Sequence, residues 1–517
     1  MSNASALFRS LLAYGICLPL AVFLGYLLAT PLDLTTVSVV VVVVFVMVMP
    51  LLLRSHHFLL FAAWNTTALV FFLPGRPPVW MALAAASLGI CILQYTLNRN
   101  MKFLSVPSVA RPLIFLTIVV LLTMRLTGGL GLASFGSDTN GGKKYFGVLM
   151  AIVGYFAMIN RQIPSKRVGL YIALFFLGSA SMLIADLPGK VNPIFNFLFV
   201  LFPVSNVSAF TDRNSVVETS GLISRLSGLA YLGSAVICWM LARYGLRGIL
   251  DLARPWRLIL LCLFFAIAMF SGYRSAFVTL AMVIGLLFYL EGLHRTQWLL
   301  PMIFVLLMGG GLAVLFAPRL PFSIQRSLAV LPFIPVDPVT RMNAAASSDW
   351  RIQVWREALP EVPRYLLVGK GYGFSRSELR QAAISSATMR DSKEDVEMVG
   401  NYHNGPLSVI LAFGIFGAIA FLWLLAAGIR VLYQNYQFGD PALRSINTFL
   451  FSYFIVNVVV FFAVYGAFDT DMRGFMGLLG LSISLNGGVA KPAVVLRPKM
   501  VFNRFKLHPS VRGSAGA

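Results

Sequence analysis

This chain is short of groups that do chemistry in water. Only 12% of its 517 residues are charged, about half the share of a soluble chain, and 58% are hydrophobic. Four cysteines, Cys17, Cys91, Cys238 and Cys262, all fall in apolar runs. That pattern excludes a disulfide framework and a cysteine metal site. Histidine is scarce, with five residues at 56, 57, 294, 403 and 508. There is no Walker-type glycine loop, no H-E-x-x-H and no G-x-S-x-G, so ATP-driven transport and zinc proteolysis have no footing. No motif calls for a metal or an organic cofactor. Acids number 19 against 41 Lys and Arg, a net charge of +22. That excess does not indicate nucleic-acid binding, because its placement follows membrane sorting instead.

What is present is hydrocarbon. Mean hydropathy is +0.81, and apolar runs of roughly 20 residues recur along the chain, the length of a membrane-spanning helix. They predict an all-α polytopic membrane protein with about 12–14 transmembrane helices. About fourteen stretches fit the pattern. They include 11–29, 34–53, 58–73, 145–159, 222–243, 257–272, 275–291, 404–430, 446–466 and 473–489. The first is read as a span and not as a removed signal. The valine-rich run 37–48 would be a strand candidate in water, but lipid requires it to be helical. The apolar stretch 192–204 is short and reads as re-entrant or interfacial.

Charge sets the orientation. With both termini in the cytoplasm, the short inner loops collect Arg99, Lys102, Arg111, Arg161, Lys166, Arg167, Arg243, Arg247, Arg254 and Arg257. The tail adds Lys491, Arg497, Lys499, Arg504, Lys506 and Arg512, suited to anionic lipid headgroups, and the acids there are Asp251, Glu291 and Asp440. This is the positive-inside bias. The pair His56-His57 falls in an inner turn on this topology.

Three features then meet at the outer boundary. Arg225 opens the span that begins Ser224-Arg225-Leu226-Ser227-Gly228. Arg274 lies in the turn Ser271-Gly272-Tyr273-Arg274-Ser275. His403 ends the one long polar loop, in Asn401-Tyr402-His403-Asn404-Gly405-Pro406. Taken singly, each arginine reads as a snorkelling side chain, and His403 reads as an interfacial imidazole bonded to its loop. Taken together they suit a phosphate-bearing lipid. Two guanidiniums grip a diphosphate through forked hydrogen bonds, and a neutral imidazole accepts a proton from an attacking hydroxyl near neutral pH.

The long loop has internal order. Residues 349–359 read as an amphipathic helix with Trp350, Val354, Trp355, Ala358 and Leu359 on one face, ended by Pro360 and Pro363. Gly369-Lys370-Gly371-Tyr372-Gly373-Phe374 matches no phosphate-binding fingerprint and predicts a tight turn with positive φ. Asp469-Thr470-Asp471 has the D-x-D form of metal-holding glycosyltransferases, yet at an outer loop it reads as a helix cap or an acceptor-orienting pair.

In sequence order these pieces resemble a family. They are Arg225-x-x-Gly228, then Ser271-Gly272-Tyr273-Arg274-Ser275, then a long loop with Asp349-Trp350-Arg351 and the Gly369 to Phe374 string. His403-Asn404-Gly405-Pro406-Leu407 follows, leading into Leu411-Ala412-Phe413-Gly414. The order is similar to that of the O-antigen ligase and polymerase superfamily of bacterial membrane glycosyltransferases. The resemblance covers residues about 220–485.

It implies a GT-C-like fold in the bacterial inner membrane, with no metal and no cofactor. The organisation expected is transmembrane helices in 1–220, central helices with outer-face arginines in 221–317, a periplasmic loop in 318–403, C-terminal helices in 404–489 and a basic cytoplasmic tail in 490–517. The reaction expected is ligase-type transfer of a glycan from a polyprenyl (undecaprenyl) diphosphate carrier to a hydroxyl of lipid A core or another glycan, at the periplasmic face. His403 would activate the acceptor, and Arg225 and Arg274 would hold the diphosphate. Asn404, Tyr402 and Tyr273 would support them. A polymerase joining lipid-linked repeats, and a flippase or exporter of the same glycan, remain as alternatives. The partners expected are the lipid-linked donor, the acceptor and membrane lipids, with no nucleic acid.

Overall fold

The computed structural model describes residues 34–73, 75–98, 103–128, 139–187, 192–203, 226–375, 377 and 402–492, with isolated helical positions between 15 and 26. It is helical throughout this range apart from connections and one two-residue antiparallel ladder, Thr139–Asn140 with Phe374–Ser375. The helices are α1 Leu34–Ala63, α2 Val79–Leu97, α3 Pro107–Leu126, α4 Gly142–Met158, α5 Val168–Leu177 continued by 3-10 turns over Gly178–Asp186, and α6 Ser227–Ile249. They continue as α7 Trp256–Phe270, α8 Arg274–Leu290, α9 Leu299–Phe316, α10 Phe322–Leu328 and α11 Pro338–Ala358. The chain closes with α12 Gly405–Phe438, α13 Arg444–Ala463 and α14 Phe468–Asn486. Among the described residues, eight helices are long and apolar enough to cross a membrane, and α7 and α8 are shorter apolar helices. The protein is an all-α polytopic membrane protein.

Two sequence expectations are corrected here. The stretches 34–53 and 58–73 are not two spans: α1 runs unbroken through Pro50 and stops at Ala63. It stops because the polar run Asn65-Thr66-Thr67 finds partners inside the bundle. The Asn65 amide donates to the Phe175 carbonyl at 2.8 Å, and the Thr67 backbone donates to Ser181 Oγ at 3.0 Å. Hydropathy counts apolar residues and does not register such partners. His56 and His57 therefore lie inside α1, buried, rather than in a turn. His56 Nδ1 meets Ser87 Oγ at 2.8 Å, and His57 Nε2 meets the Met158 carbonyl at 2.8 Å.

Between helices the core is aromatic. Phe413, Phe421, Phe454, Phe461, Phe468 and Phe475 interlock across α12, α13 and α14 in mostly edge-on pairs 5.1–6.0 Å apart. In lipid such packing, not hydrophobic burial, holds helices together. At one end of the bundle, amides lock the same three helices. Asn435 donates to Ser482 Oγ, Asn447 donates to the Asn435 carbonyl, and Asn447 and Asn486 exchange bonds at 2.9 Å. Arg161, Arg243 and Arg247 collect at this end. There Glu291 accepts from the Leu246 and Arg247 amides where α6 breaks at Gly245.

At the opposite end α12 is broken at Gly414, whose φ is 65° and ψ −163°. A segment within the long loop fills the break with backbone hydrogen bonds. Ile415 N donates to Leu366 O (2.6 Å), Lys370 N to Leu411 O (2.7 Å) and Gly371 N to Ala412 O (3.0 Å). Gly369 and Gly371 take φ of +83° and +71°, so the expected positive-φ turn is present. Its task is to dock on α12. A Cβ at Gly414 would stand 2.7 Å from the carbonyl oxygens of Leu366 and Leu367. Gly414→Ala is expected to cost about 1–3 kcal/mol, through strain at positive φ and this clash. A melting curve in detergent indistinguishable from the parent would refute that account.

Candidate functional site

The site is built where α7 turns into α8. Ser271 Oγ donates to the Ala268 carbonyl at 2.6 Å and accepts from the Tyr273 amide at 3.2 Å. Gly272 takes φ of +74°. This tight turn makes Tyr273 the N-cap of α8 and Arg274 its first residue. Arg326 of α10, 3% exposed, clamps the turn from outside. Its Nη1 donates to the Gly272 carbonyl at 2.7 Å and its Nε to Asn343 Oδ1 at 2.8 Å. The Leu226 amide donates to the Ser271 carbonyl at 3.2 Å. Arg225 itself lies outside the described residues. Just beyond, the carboxylate of buried Asp186 accepts from Ser227 Oγ at 3.0 Å and from the Gly228 amide. An acidic side chain at a helix N-terminus is favourably placed. Gly228 is required because a Cβ there would be 2.9 Å from the Met182 carbonyl oxygen.

His403 is built on the start of α12. Asn404 is the N-cap, its Oδ1 accepting from the Leu407 amide at 3.1 Å, and Pro406 occupies the first turn. His403 is held at φ +49°, a left-handed conformation uncommon for a side-chain-bearing residue. Its half-buried ring packs edge-on to Trp350 at 5.3 Å and tilted on Tyr465 at 4.8 Å. Tyr402 is buried beside Val354, Ala358, Leu407 and Leu411, and its carbonyl accepts from Trp355 Nε1 at 2.8 Å.

Helix α11 joins the two halves. The sequence places an amphipathic helix at 349–359. The structure starts it eleven residues earlier, at Pro338, because Asp337 caps it through the Val339 amide at 2.8 Å. Val354 and Ala358 are buried as expected, whereas Leu359 is exposed. Arg274 Nη2 donates to Ser348 Oγ at 3.3 Å, and two residues further along, Trp350 covers His403. One turn of α11 thus touches both groups from different sides. The indole N–H of Trp350 is buried beside His403 with no acceptor among the described residues.

Of the residues expected at the site, Arg274, Tyr273, Tyr402, His403 and Asn404 fall at this one end of the bundle. Asp471 is a cap, accepting from the Ala467 amide at 2.8 Å, and Asp469 lies 3.9 Å from Lys144. Burial pushes the Tyr372 hydroxyl in the docked loop well above its ordinary pKa, with Asp469 adding to it. Among the described residues no three His, Cys, Asp or Glu side chains group as a metal site would require. Sequence reasoning missed Arg326, Ser348, Tyr465 and Asp186. Only the burial of charge at Arg326 and Asp186 sets them apart, and a linear sequence does not display it.

The family model described as O-antigen ligase matches residues 258–422. That segment includes Arg274, α11 and His403, and it stops before α13. No curated protein matches the chain. The Trp355 contact anchors the residue next to His403. Trp355→Phe is expected to loosen it by roughly 1 kcal/mol, seen as faster amide exchange at residues 402–405. Unchanged exchange there would show that the anchor lies elsewhere.

Proposed function

We propose that this chain, whose residues 258–422 match a family model described as O-antigen ligase, is a membrane glycosyltransferase of ligase type. It moves a glycan from a polyprenyl diphosphate carrier to an acceptor hydroxyl at the periplasmic face of the bacterial inner membrane. The observation that carries this reading is the single turn of α11 that touches Arg274 on one side and His403 on the other. His403 takes the proton of the acceptor hydroxyl, whose oxygen bonds to the anomeric carbon. The bond from that carbon to the diphosphate oxygen breaks, and the electron pair leaves with the carrier diphosphate. Arg274, with Arg225, meets that growing charge. Tyr273 and Asn404 set the two ends of the arrangement as helix caps, and Tyr402 anchors the His403 loop. The acceptor, a lipid A core or another glycan, meets Trp350 and Tyr465 beside His403.

The basic end carrying Arg161, Arg243 and Arg247 supports a cytoplasmic assignment for that face, which puts residues 318–403 in the periplasm and 490–517 in the cytoplasm. An alkaline phosphatase fused after Ser375 is then expected to be active, and an inactive fusion reverses the orientation.

His403→Ala is expected to lower transfer by roughly 10²–10⁴-fold with insertion and melting preserved. Arg274→Lys and Arg225→Lys are expected to be impaired because lysine keeps the charge and loses the fork. Full activity in all three ends the assignment. Deleting the gene and sizing the glycan left on the carrier separates the two transfer types. Long polymer on the carrier marks a ligase, and single repeats mark a polymerase.

A further inference from the structure

One guanidinium in the bundle has no role in the site above. Arg473 sits in the second turn of α14, eight residues after the Tyr465 that packs on His403. Its carbonyl accepts from Trp64 Nε1 at 3.2 Å, and its guanidinium lies over Trp80 with 5.5 Å to the ring centroid. Trp64 and Trp80 are buried and meet edge-on at 5.1 Å. The two indoles therefore fix both the backbone and the head of this side chain. Among the described residues no carboxylate and no hydrogen-bond acceptor meets the Arg473 head. A guanidinium has five N–H donors in a planar fork, and a ring face satisfies none of them. An ionisable side chain at membrane depth faces a partner or a water-filled cavity.

The surface beside Arg473 is open. Thr470, Arg473 and Gly474 share one face of α14 by helical spacing; Thr470 and Gly474 are exposed and Arg473 is half-buried. A Cβ at Gly474 would meet nothing within 4 Å. Across from this face, Tyr231 of α6 is 50% exposed. It lies within electrostatic reach of both Arg473 and Tyr453 of α13. The open space beside Gly474 thus adjoins Arg473, whose guanidinium rests on Trp80.

We propose that Arg473 binds the phosphate of a lipid-borne phosphate or diphosphate that approaches this open face of α14 from the bilayer. The chemistry is specific: a planar fork of donors takes phosphate oxygens in pairs, the aromatic wall takes the apolar or sugar portion next to it, and a lipid reaches a site at this depth without crossing water. Arg473 lies outside the 258–422 segment, and it would add a contact from α14 to those proposed for Arg225 and Arg274. Its assignment to the donor, in preference to a bulk phospholipid, rests on the transfer reaction proposed above.

The test measures binding of undecaprenyl diphosphate to the full-length protein in nanodiscs, with phosphatidylglycerol as competitor. Two variants are compared, Arg473→Gln and Gly474→Leu. The first removes the charge, and the second adds a side chain at a position whose Cβ would meet nothing within 4 Å. Each is expected to weaken binding by about ten-fold or more, the scale of one charge-assisted hydrogen bond, while phosphatidylglycerol leaves the parent protein's binding unchanged. Parent-like binding in both variants overturns the role of Arg473 and leaves the transfer reaction standing. Parent protein that ignores undecaprenyl diphosphate but holds phosphatidylglycerol through Arg473 keeps the phosphate site and overturns the donor reading.

Discussion

The arrangement depends on the backbone splice across the break in α12. A transmembrane helix satisfies its own amides and carbonyls, and lipid penalises any that it leaves open. At Gly414 the helix opens, and residues 366–371 supply the missing partners. This fastens the long outer segment to the bundle. Residues 366–371 are tied into the bundle by backbone bonds, while the start of the segment is tied through Arg326 and Ser327 to the turn at residues 269–272. With both ends fastened, α11 has one place to lie, and that place is between Arg274 and His403.

The charged groups follow the same logic. Buried Arg326 donates to a carbonyl and an amide oxygen. Asp186 accepts at the start of α6, and Glu291 accepts at the break in that helix. Each sits where a helix has been ended or interrupted and where main-chain groups would otherwise lack partners. Arg473 departs from this pattern, held by aromatic rings and facing open space. A membrane protein carries charge at depth either to complete its own backbone or to meet something that enters.

Much of the site was legible in the sequence because it uses residues scarce in this chain. In a sequence with five histidines, one beside Asn-Gly-Pro at the mouth of a span is conspicuous, and the cap-forming role of Asn404 follows from its position. The Ser-Gly-Tyr-Arg turn was equally readable, since glycine and serine between two apolar runs mark a tight reversal. Ser348 and Tyr465 were not, because neither differs in composition from dozens of other surface positions. Their role comes from which helix lies beside them.

The sequence by itself determined the class of the protein, its helical character and the end of the bundle at which the candidate site residues gather. Those properties depend on hydropathy and charge, which are summed along the chain and need no partner. The tertiary structure decided that 34–63 is one helix, that the glycine string docks on α12, that α11 begins at Pro338, and that Arg473 lies over Trp80. Each of these turns on a hydrogen bond or a close approach between residues far apart in the chain, such as Asn65 with Phe175 or Gly371 with Ala412. A linear pattern holds no record of such pairs, because their energy appears only when the two segments meet.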